Sequence, residues 1–296
     1  MNEKYKIIED EFYHYKRLDP LPSDETITDF YKDTYYQLIK NGERGVDINR
    51  SLKNSPEATE QNEWLSKTLY SDINYIINTH AKGNKVLEVG CGLGDLLVYL
   101  NEQNLDVEGI EIASAALSVT KKRNLRVHEG TFETLACGKL KNKKYNTIIF
   151  ISVLEQIRNP ELAIKFAKNI LAPGGLIIIR SGNDYNPLQI IARDKLNLNE
   201  WWVNIPDHLY YFSFDSISKI LTNSGFEIAY KQSDFPMEIF LLLGSNYVED
   251  QEIGKDCHRK RVEFEIALSD KLRRSLYHAF AEAGIGRCAL VVGRLL

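Results

Sequence analysis

Hydrophobic positions along the chain change their spacing twice. Residues 1 to about 64 are polar, charged and rich in tyrosine, with no strand-like alternation. Within them Ser23, followed by DETITDFYKDTYY, reads as a capped helix after a proline-containing turn, so the segment is expected to form a helical arm. In EWLSKTLYSDINYIINTH the apolar residues Trp64, Leu65, Leu69, Ile73, Ile76 and Ile77 recur at helical spacing. From Lys85 onward, short apolar runs alternate with helix-like stretches. KVLEVG, DVEGIEI, LRVHEG, YNTIIFISV and GLIIIRSG read as strands, and GDLLVYLNEQ, SAALSVTKKRN and PELAIKFAKNILAPGG read as helices. That alternation predicts a doubly wound α/β fold, a parallel sheet covered on both faces, with TIIFI at its buried centre.

After Gly182 the regularity lapses. NDYNPLQIIARDKLNLNEWWVNIPDHLYYFS is a long aromatic connection, and FDSISKILTNSGFEIAYKQ resumes as helix then strand. Long connections inside a compact domain are usually functional or disordered, and the aromatic content favours order. The expected organisation is a helical N-terminal arm over 1–64 and an α/β domain over 65–233 that is rejoined by 288–296. Residues 183–213 form a lid within it, and 234–287 form a helical insertion that caps the substrate.

Composition narrows the class only a little. The chain has 296 residues, 44% of them hydrophobic and 26% charged, which is ordinary for a soluble globular protein. A net charge of -4 gives no reason to expect nucleic acid or a membrane surface as partner. No apolar run is long enough to cross a bilayer, and the first residues are too charged for a secretory signal. Cys91, Cys137, Cys257 and Cys288 form no CxxC pair, so reduced thiols in a cytoplasm are expected and zinc is not. A homodimer is compatible with the sequence.

The stretch KVLEVGCGLGDLLVYL carries the chemistry. Gly90, Gly92 and Gly94 sit between strand and helix, where backbone can approach a ligand closely. The spacing GxGxG lacks the later glycine of the dinucleotide fingerprint, and the absence of GKS or GKT excludes a P-loop. Glu111, at the end of the next strand, can accept hydrogen bonds from both hydroxyls of an unphosphorylated ribose. NAD and S-adenosylmethionine remain as contenders. Glu88, inside the strand before the glycines, separates them. A buried acid there suits a ligand with an ammonium group and repels a pyrophosphate.

EVGCGLG, then Glu111, then VLEQI, then LAPGG resembles, in that order, the class I S-adenosylmethionine-dependent methyltransferases over about Leu65 to Gln232 and again in the last strand. The block WWVNIPDHLYYFSFDSISKILTNSGFEI is similar to the small-molecule branch containing ubiquinone-pathway and sugar methyltransferases. The resemblance implies a mostly parallel seven-stranded sheet whose edge is closed by the terminal strand CALVVGRLL. It implies that Glu88, Gly90, Gly92 and Gly94 border the methionine moiety, that Glu111 binds the ribose and that Ile112 packs on adenine. Thr131 stands where the family often has an acid, which leaves Thr131 and the Phe132 backbone to meet the adenine edge. Ile151 and Ser152 would lie along the cofactor.

A sulfonium supplies an activated methyl group, so the protein must align an acceptor and exclude water. A hydroxyl acceptor also benefits from a general base. His208, in IPDHLYYFS, is the leading candidate because imidazole titrates near working pH; Glu155 and Asp184 are reserves. Arg259, Lys260, Arg261, Arg273, Arg274 and Arg287 could bind a phosphate or carboxylate on the acceptor, or could pair locally with Glu263, Glu265 and Asp270. Trp201, Trp202, Tyr210, Tyr211 and Phe212 could wall an acceptor pocket or fasten the lid. Tyr31, Tyr35 and Tyr36 offer an arm over the cofactor. The expected activity is methyl transfer to a small polar acceptor, foremost a hydroxyl of a sugar, sugar-nucleotide or related phosphorylated metabolite.

Overall fold

In a computed structural model of the chain, residues 5–30, 34, 37–38, 56–206 and 208–296 are described. Tyr31, Tyr35 and Tyr36 lie outside them. The chain divides into two compact units, one of residues 22–151, 161–177 and 295–296, the other of 1–21, 152–160 and 178–294.

The first difference from the sequence reading is at the N-terminus. Residues 6–19 are not helical: β1 (Lys6–Glu9) pairs antiparallel with β2 (Lys16–Asp19). The alternation is hard to see because only Leu18 of the two strands is fully buried, while Tyr5 and Tyr15 bury beside them. Asp10 shapes the turn, its Oδ1 accepting from the amides of Phe12 and Tyr13. The helix signal at Ser23 holds: α1 (Asp24–Asp29) starts where the Ser23 hydroxyl accepts from the Thr26 amide.

The unit containing the glycine loop begins with α2 (Pro56–Lys67) and α3 (Leu69–His80), one amphipathic stretch interrupted at Thr68. Ile73, Ile76 and Ile77 form the buried face of α3. Then come β3 (Lys85–Val89), α4 (Asp95–Glu102), β4 (Asp106–Glu111), α5 (Ser114–Lys122), β5 (Val127–Glu129), α6 (Phe132–Cys137) and β6 (Tyr145–Ile151). Strand β3 is parallel to both β4 and β6, with Glu88 opposite Gly109 on one side and Ile149 on the other. Val86, Leu87, Ile148, Ile149 and Phe150 are wholly buried, as a strand covered on both faces requires. Helix α7 (Pro160–Ile170) leads into β7 (Leu171–Gly182). The strand includes LAPGG, which the sequence pattern assigns to the preceding helix.

The other unit carries α8 (Pro187–Leu196), β8 (Tyr210–Tyr211), α9 (Phe214–Asn223) and β9 (Phe226–Gln232). After them lie α10 (Glu238–Leu242), α11 (Gln251–Ala267), α12 (Asp270–Glu282) and β10 (Cys288–Leu295), so the expected insertion is helical. Strand β8 pairs with β2, giving a small sheet β1-β2-β8. The main sheet has seven strands in the order β5-β4-β3-β6-β7-β10-β9. The terminal strand therefore does not close an edge, as expected, but inserts between β7 and β9. Ala289, Leu290, Val291 and Val292 are buried accordingly, which an edge position would not require of four successive residues.

Candidate functional site

The loop after β3 has an alternating backbone. Gly90, Gly92 and Gly94 adopt φ of 68°, 53° and 81°, the left-handed region where a side chain is strained. Gly94 is the N-cap of α4. At Gly92 a Cβ would meet nothing within 4 Å, so the loop presents open space. By contrast, Gly109 lets Cys91 and Leu97 pack against β4, since a Cβ there would lie 2.6 Å from Cys91 Sγ. Burial pushes the Cys91 thiol up, as expected of an inert packing residue.

Two acids frame this loop. Glu88 is 5% exposed, and its Oε2 has no hydrogen-bond partner. Burial, then the charges of Asp95 and Glu111, raise its carboxyl well above the ordinary range. A buried carboxyl oxygen without a donor is costly, and an ammonium group supplies what it lacks. Glu111 lies at the end of β4. Its Oε2 accepts from Gly92 N at 2.8 Å, and its Oε1 accepts from Ile112 N and Ala113 N, each at 2.8 Å. A carboxylate offers about four lone-pair sites, so one position remains for a ribose hydroxyl; accepting a second means releasing Gly92.

Ile112 is half-buried, suitable for one face of a planar ring. The Thr131 hydroxyl caps α6, accepting from Thr134 N and donating to Thr134 Oγ1, which leaves it one acceptor position. Phe132 is buried edge-on against Phe150, which leaves only its backbone for a ligand. Ile151 ends β6 and is half-buried. In the other unit, Ser152 is exposed with φ of 52° and donates its amide to Arg180 O at 2.8 Å.

The same unit holds the three candidate bases. Glu155 is not the solvated acid its position could suggest. It sits in a 3-10 turn (Leu154–Gln156), 2% exposed, with Oε2 unpartnered. Burial raises its pKa to about 7, opposed by its own backbone amide, the neighbouring Ser181 hydroxyl and Arg180. Asp184 is half-buried, and Gly182 makes room for it: a Cβ there would lie 2.7 Å from Asp184 Oδ2. Burial first, then Glu155 and Glu238, raise Asp184 well above the ordinary range. Its loop is fixed by Asn183, whose side chain donates to Gly284 O and Gly286 O, and by the Asp184 amide on Phe212 O. His208 is half-buried with its amide on Asn204 O, its ring centroid 6.4 Å from that of Tyr211.

Two further polar residues belong with these acids and escaped the sequence reading. Glu238 is 2% exposed with an orphaned Oε2, and Ser181 is 1% exposed with an orphaned hydroxyl. The available signal was an acid inside the apolar run FPMEIF and a serine ending the buried strand GLIIIRSG.

The cationic residues of the insertion resolve toward local pairing. Arg259 and Lys260 bind Asp256, and Arg259 also binds Glu263. Arg261 bridges Asp234 and Glu265, while Arg273 and Arg274 meet Asp270. Arg287 is exposed and makes no ion pair among the described residues. The lid aromatics are mostly fasteners: Trp202, Tyr210, Tyr211 and Phe212 are buried, with Tyr210 stacked on Phe212 and edge-on to Tyr15. Trp201 is half-buried.

Comparison with known proteins agrees with this loop. Residues 61–231 match the family described as a methyltransferase domain, and the chain belongs to that family. A ubiquinone biosynthesis O-methyltransferase from Pasteurella multocida is 31% identical over 114 residues, 34% of this chain and 47% of that protein. The chain thus spans about half the length of that curated relative. A methyltransferase from Archaeoglobus fulgidus superposes with a TM-score of 0.54 at 13% identity, covering 88% of this chain and all of that one. Magnesium protoporphyrin IX methyltransferase from Synechocystis PCC 6803, solved with bound S-adenosylhomocysteine, gives 0.53 at 12% identity over 93% of this chain and all of that one. The Rossmann-like methyltransferase fold is thereby shown, and S-adenosylmethionine is its cofactor. The residues present fit it: an orphaned buried carboxyl, a left-handed glycine loop open at Gly92 and a strand-end acid with one acceptor position left.

Proposed function

We propose that the chain is an S-adenosylmethionine-dependent methyltransferase acting on a small polar acceptor at an atom that gives up a proton. The observation that carries this reading is the orphaned Glu88 oxygen beside a glycine loop whose middle residue faces open space. When bound, the cofactor supplies a methyl group on a positively charged sulfur. Glu88 holds the ammonium of its methionine part, Glu111 holds the ribose, and the loop backbone at Gly90, Gly92 and Gly94 admits both closely. Ile112 and the Phe132 backbone border the adenine, and Ile151 lines its path.

We place the proton acceptor at Glu155 rather than His208. A carboxyl whose pKa is about 7, with one oxygen free, is poised to take a proton near neutral pH. Asp184 is fixed by its loop as a second polar contact. A hydroxyl acceptor, as in the relative's printed name, fits this arrangement, and so does an amine. The paired state of the insertion's arginines gives less support to a phosphorylated acceptor.

Isothermal titration with S-adenosylhomocysteine and with NADH tests the cofactor. Micromolar binding of the first alone is expected; binding of NADH alone removes the reading. Transfer of labelled methyl to a metabolite extract then tests the activity.

A further inference from the structure

We infer that Tyr210 is a positioning residue for the turn that carries Glu155, and that the N-terminal hairpin braces it there. The inference rests on the proposed role of Glu155 as proton acceptor and adds what holds that group in place. Every residue invoked lies in the unit of residues 1–21, 152–160 and 178–294.

The turn has little support from its own sequence. It is a single 3-10 turn (Leu154–Gln156), and Val153 at its N-cap supplies no side-chain hydrogen bond. Locally, Gln156 N donates to Val153 O at 2.9 Å, Ile157 N to Leu154 O at 3.2 Å and Gln156 Nε2 to Ser152 O at 3.0 Å. Hydrogen-bond geometry in such short segments is poor. Ser152, just before the turn, has φ of 52°, which is unfavourable for a residue with a side chain.

Two tethers come from the aromatic connection. The Leu209 amide donates to Glu155 O at 2.8 Å, and the Tyr210 hydroxyl donates to Arg158 O at 2.7 Å. They grip the chain at the acid itself and just past the turn's end. Further along, Phe212 O accepts the Asp184 amide at 2.8 Å. Residues 209–212 therefore hold both the turn and the loop of the second acid.

That stretch is braced in its turn by the hairpin. Leu18 N donates to Leu209 O at 2.9 Å, and β2 pairs with β8 through Arg17 opposite Tyr210 and Lys16 opposite Tyr211. The Tyr15 ring lies edge-on to Tyr210 at 5.1 Å and to Phe212 at 5.8 Å, and those two rings stack at 5.7 Å. Leu18 is fully buried, and Tyr15, Leu209, Tyr210 and Phe212 are at most 6% exposed. A ring packed on two sides keeps its hydroxyl aimed at one acceptor. Since a displacement of about 1 Å can cost about 100-fold in rate, a weakly bonded turn that bears a proton acceptor needs such a brace.

The test uses the full chain. Y210F keeps the ring and removes the hydroxyl; Y230F is the control, because the Tyr230 hydroxyl donates to Gln232 within β9. Melting temperatures from pH 5 to pH 8 are compared with and without E155Q in three backgrounds: wild type, Y210F and Y230F. The gain from E155Q should be smaller in Y210F and level off at lower pH, because a loosened turn admits water to the carboxyl; Y230F should leave it unchanged. Labelled methyl transfer is measured with the active fraction of a metabolite extract, at a dilution where rate is proportional to the fraction. It should fall by about tenfold or more in Y210F and in Y15A, and stay at the wild-type rate in Y230F. The Y15A/Y210F double variant should lose less than the product of the single losses. Unchanged affinity for S-adenosylhomocysteine by calorimetry shows that the variants fold. An unaltered gain from E155Q in Y210F overturns the inference even where the melting temperature drops, since a purely structural tyrosine lowers the melting temperature alone. Transfer at the wild-type rate in Y210F overturns it as well, and losses that multiply in the double variant overturn the bracing by the hairpin. If E155Q itself transfers label at the wild-type rate, the role of Glu155 fails first, whatever Tyr210 does.

Discussion

Replacing Glu155 by glutamine should stabilise the protein and abolish its turnover, because the same burial that suits a proton acceptor makes the native state hold an expensive charge. In the unfolded chain the carboxyl titrates near 4.5, and in the fold near 7. Between those values the native state binds more protons than the unfolded state, so stability falls as pH rises. Each pH unit is worth about 1.4 kcal/mol, which gives about 3 kcal/mol accumulated by the time Glu155 is ionised. Glu155→Gln keeps the shape and removes the titration. Its advantage over wild type should be small at pH 5, grow through pH 7 and level off above it. For a chain of this size that corresponds to a gain in Tm of several degrees at pH 8.

The assay is a pair of thermal melts at half-unit pH intervals, with kcat/KM from labelled methyl transfer on the same samples. Wild-type kcat/KM should fall roughly tenfold for each pH unit below 7, since that parameter reports the free enzyme's ionisation. If the two melting curves keep a constant separation from pH 5 to pH 8, Glu155 does not titrate as its burial dictates. The assignment of the proton acceptor then fails.

Three other outcomes follow from equally local causes. Glu88→Gln should weaken S-adenosylhomocysteine binding by roughly 10- to 100-fold, the worth of a charge-assisted hydrogen bond, without lowering Tm; an unchanged Kd by calorimetry would reassign the acid. Glu108 binds His128, Lys143 and Tyr145. Burial works against its ionised form, but these partners hold its pKa at about 2. Its stabilisation, about 3 kcal/mol by the same conversion, is complete above pH 4.5 and disappears as pH falls toward 2, so Glu108→Gln should flatten the acid limb of a urea-midpoint profile. Asp234 is nearly buried between Arg180 and Arg261 and holds the Cys288 amide at 2.8 Å. Asp234→Asn should destabilise by about 3–5 kcal/mol because two buried guanidiniums lose their counter-charge, and a shift below 1 kcal/mol in urea would show that water replaces it.

What the sequence made legible follows how local each cause is. The strands β3, β6 and β7 and the glycine loop were readable because burial on both faces writes a mostly apolar run, and left-handed backbone writes glycine. The N-terminal hairpin was not, because its two short strands, KIIE and KRLD, fully bury only Leu18 and are half charged or more. Its partner β8 lies nearly two hundred residues later, and no local pattern announces so distant a pairing. The place of β10 between β7 and β9 was lost for a similar reason, since strand order is a long-range property of the sheet.

Among the candidate site residues, backbone-determined positions were read with the most detail and charged side chains with the least. Gly90, Gly92 and Gly94 have the conformations their spacing demanded. The Thr131 hydroxyl has a local use as a helix cap, visible only once α6 is known to start there. The burial of Glu155 is not legible in the sequence for the opposite reason. In sequence it is one acid after a strand, and only the fold shows that Leu154, Ser181 and the rest of its unit exclude water from it. An acid's chemistry is set by what surrounds it, and for Glu155 those surroundings, with the turn around it aside, include Arg180 and Ser181 at the end of β7. The burial of Glu155 is therefore a property of the assembled unit, whereas the glycine loop is a property of a single strand-to-helix turn.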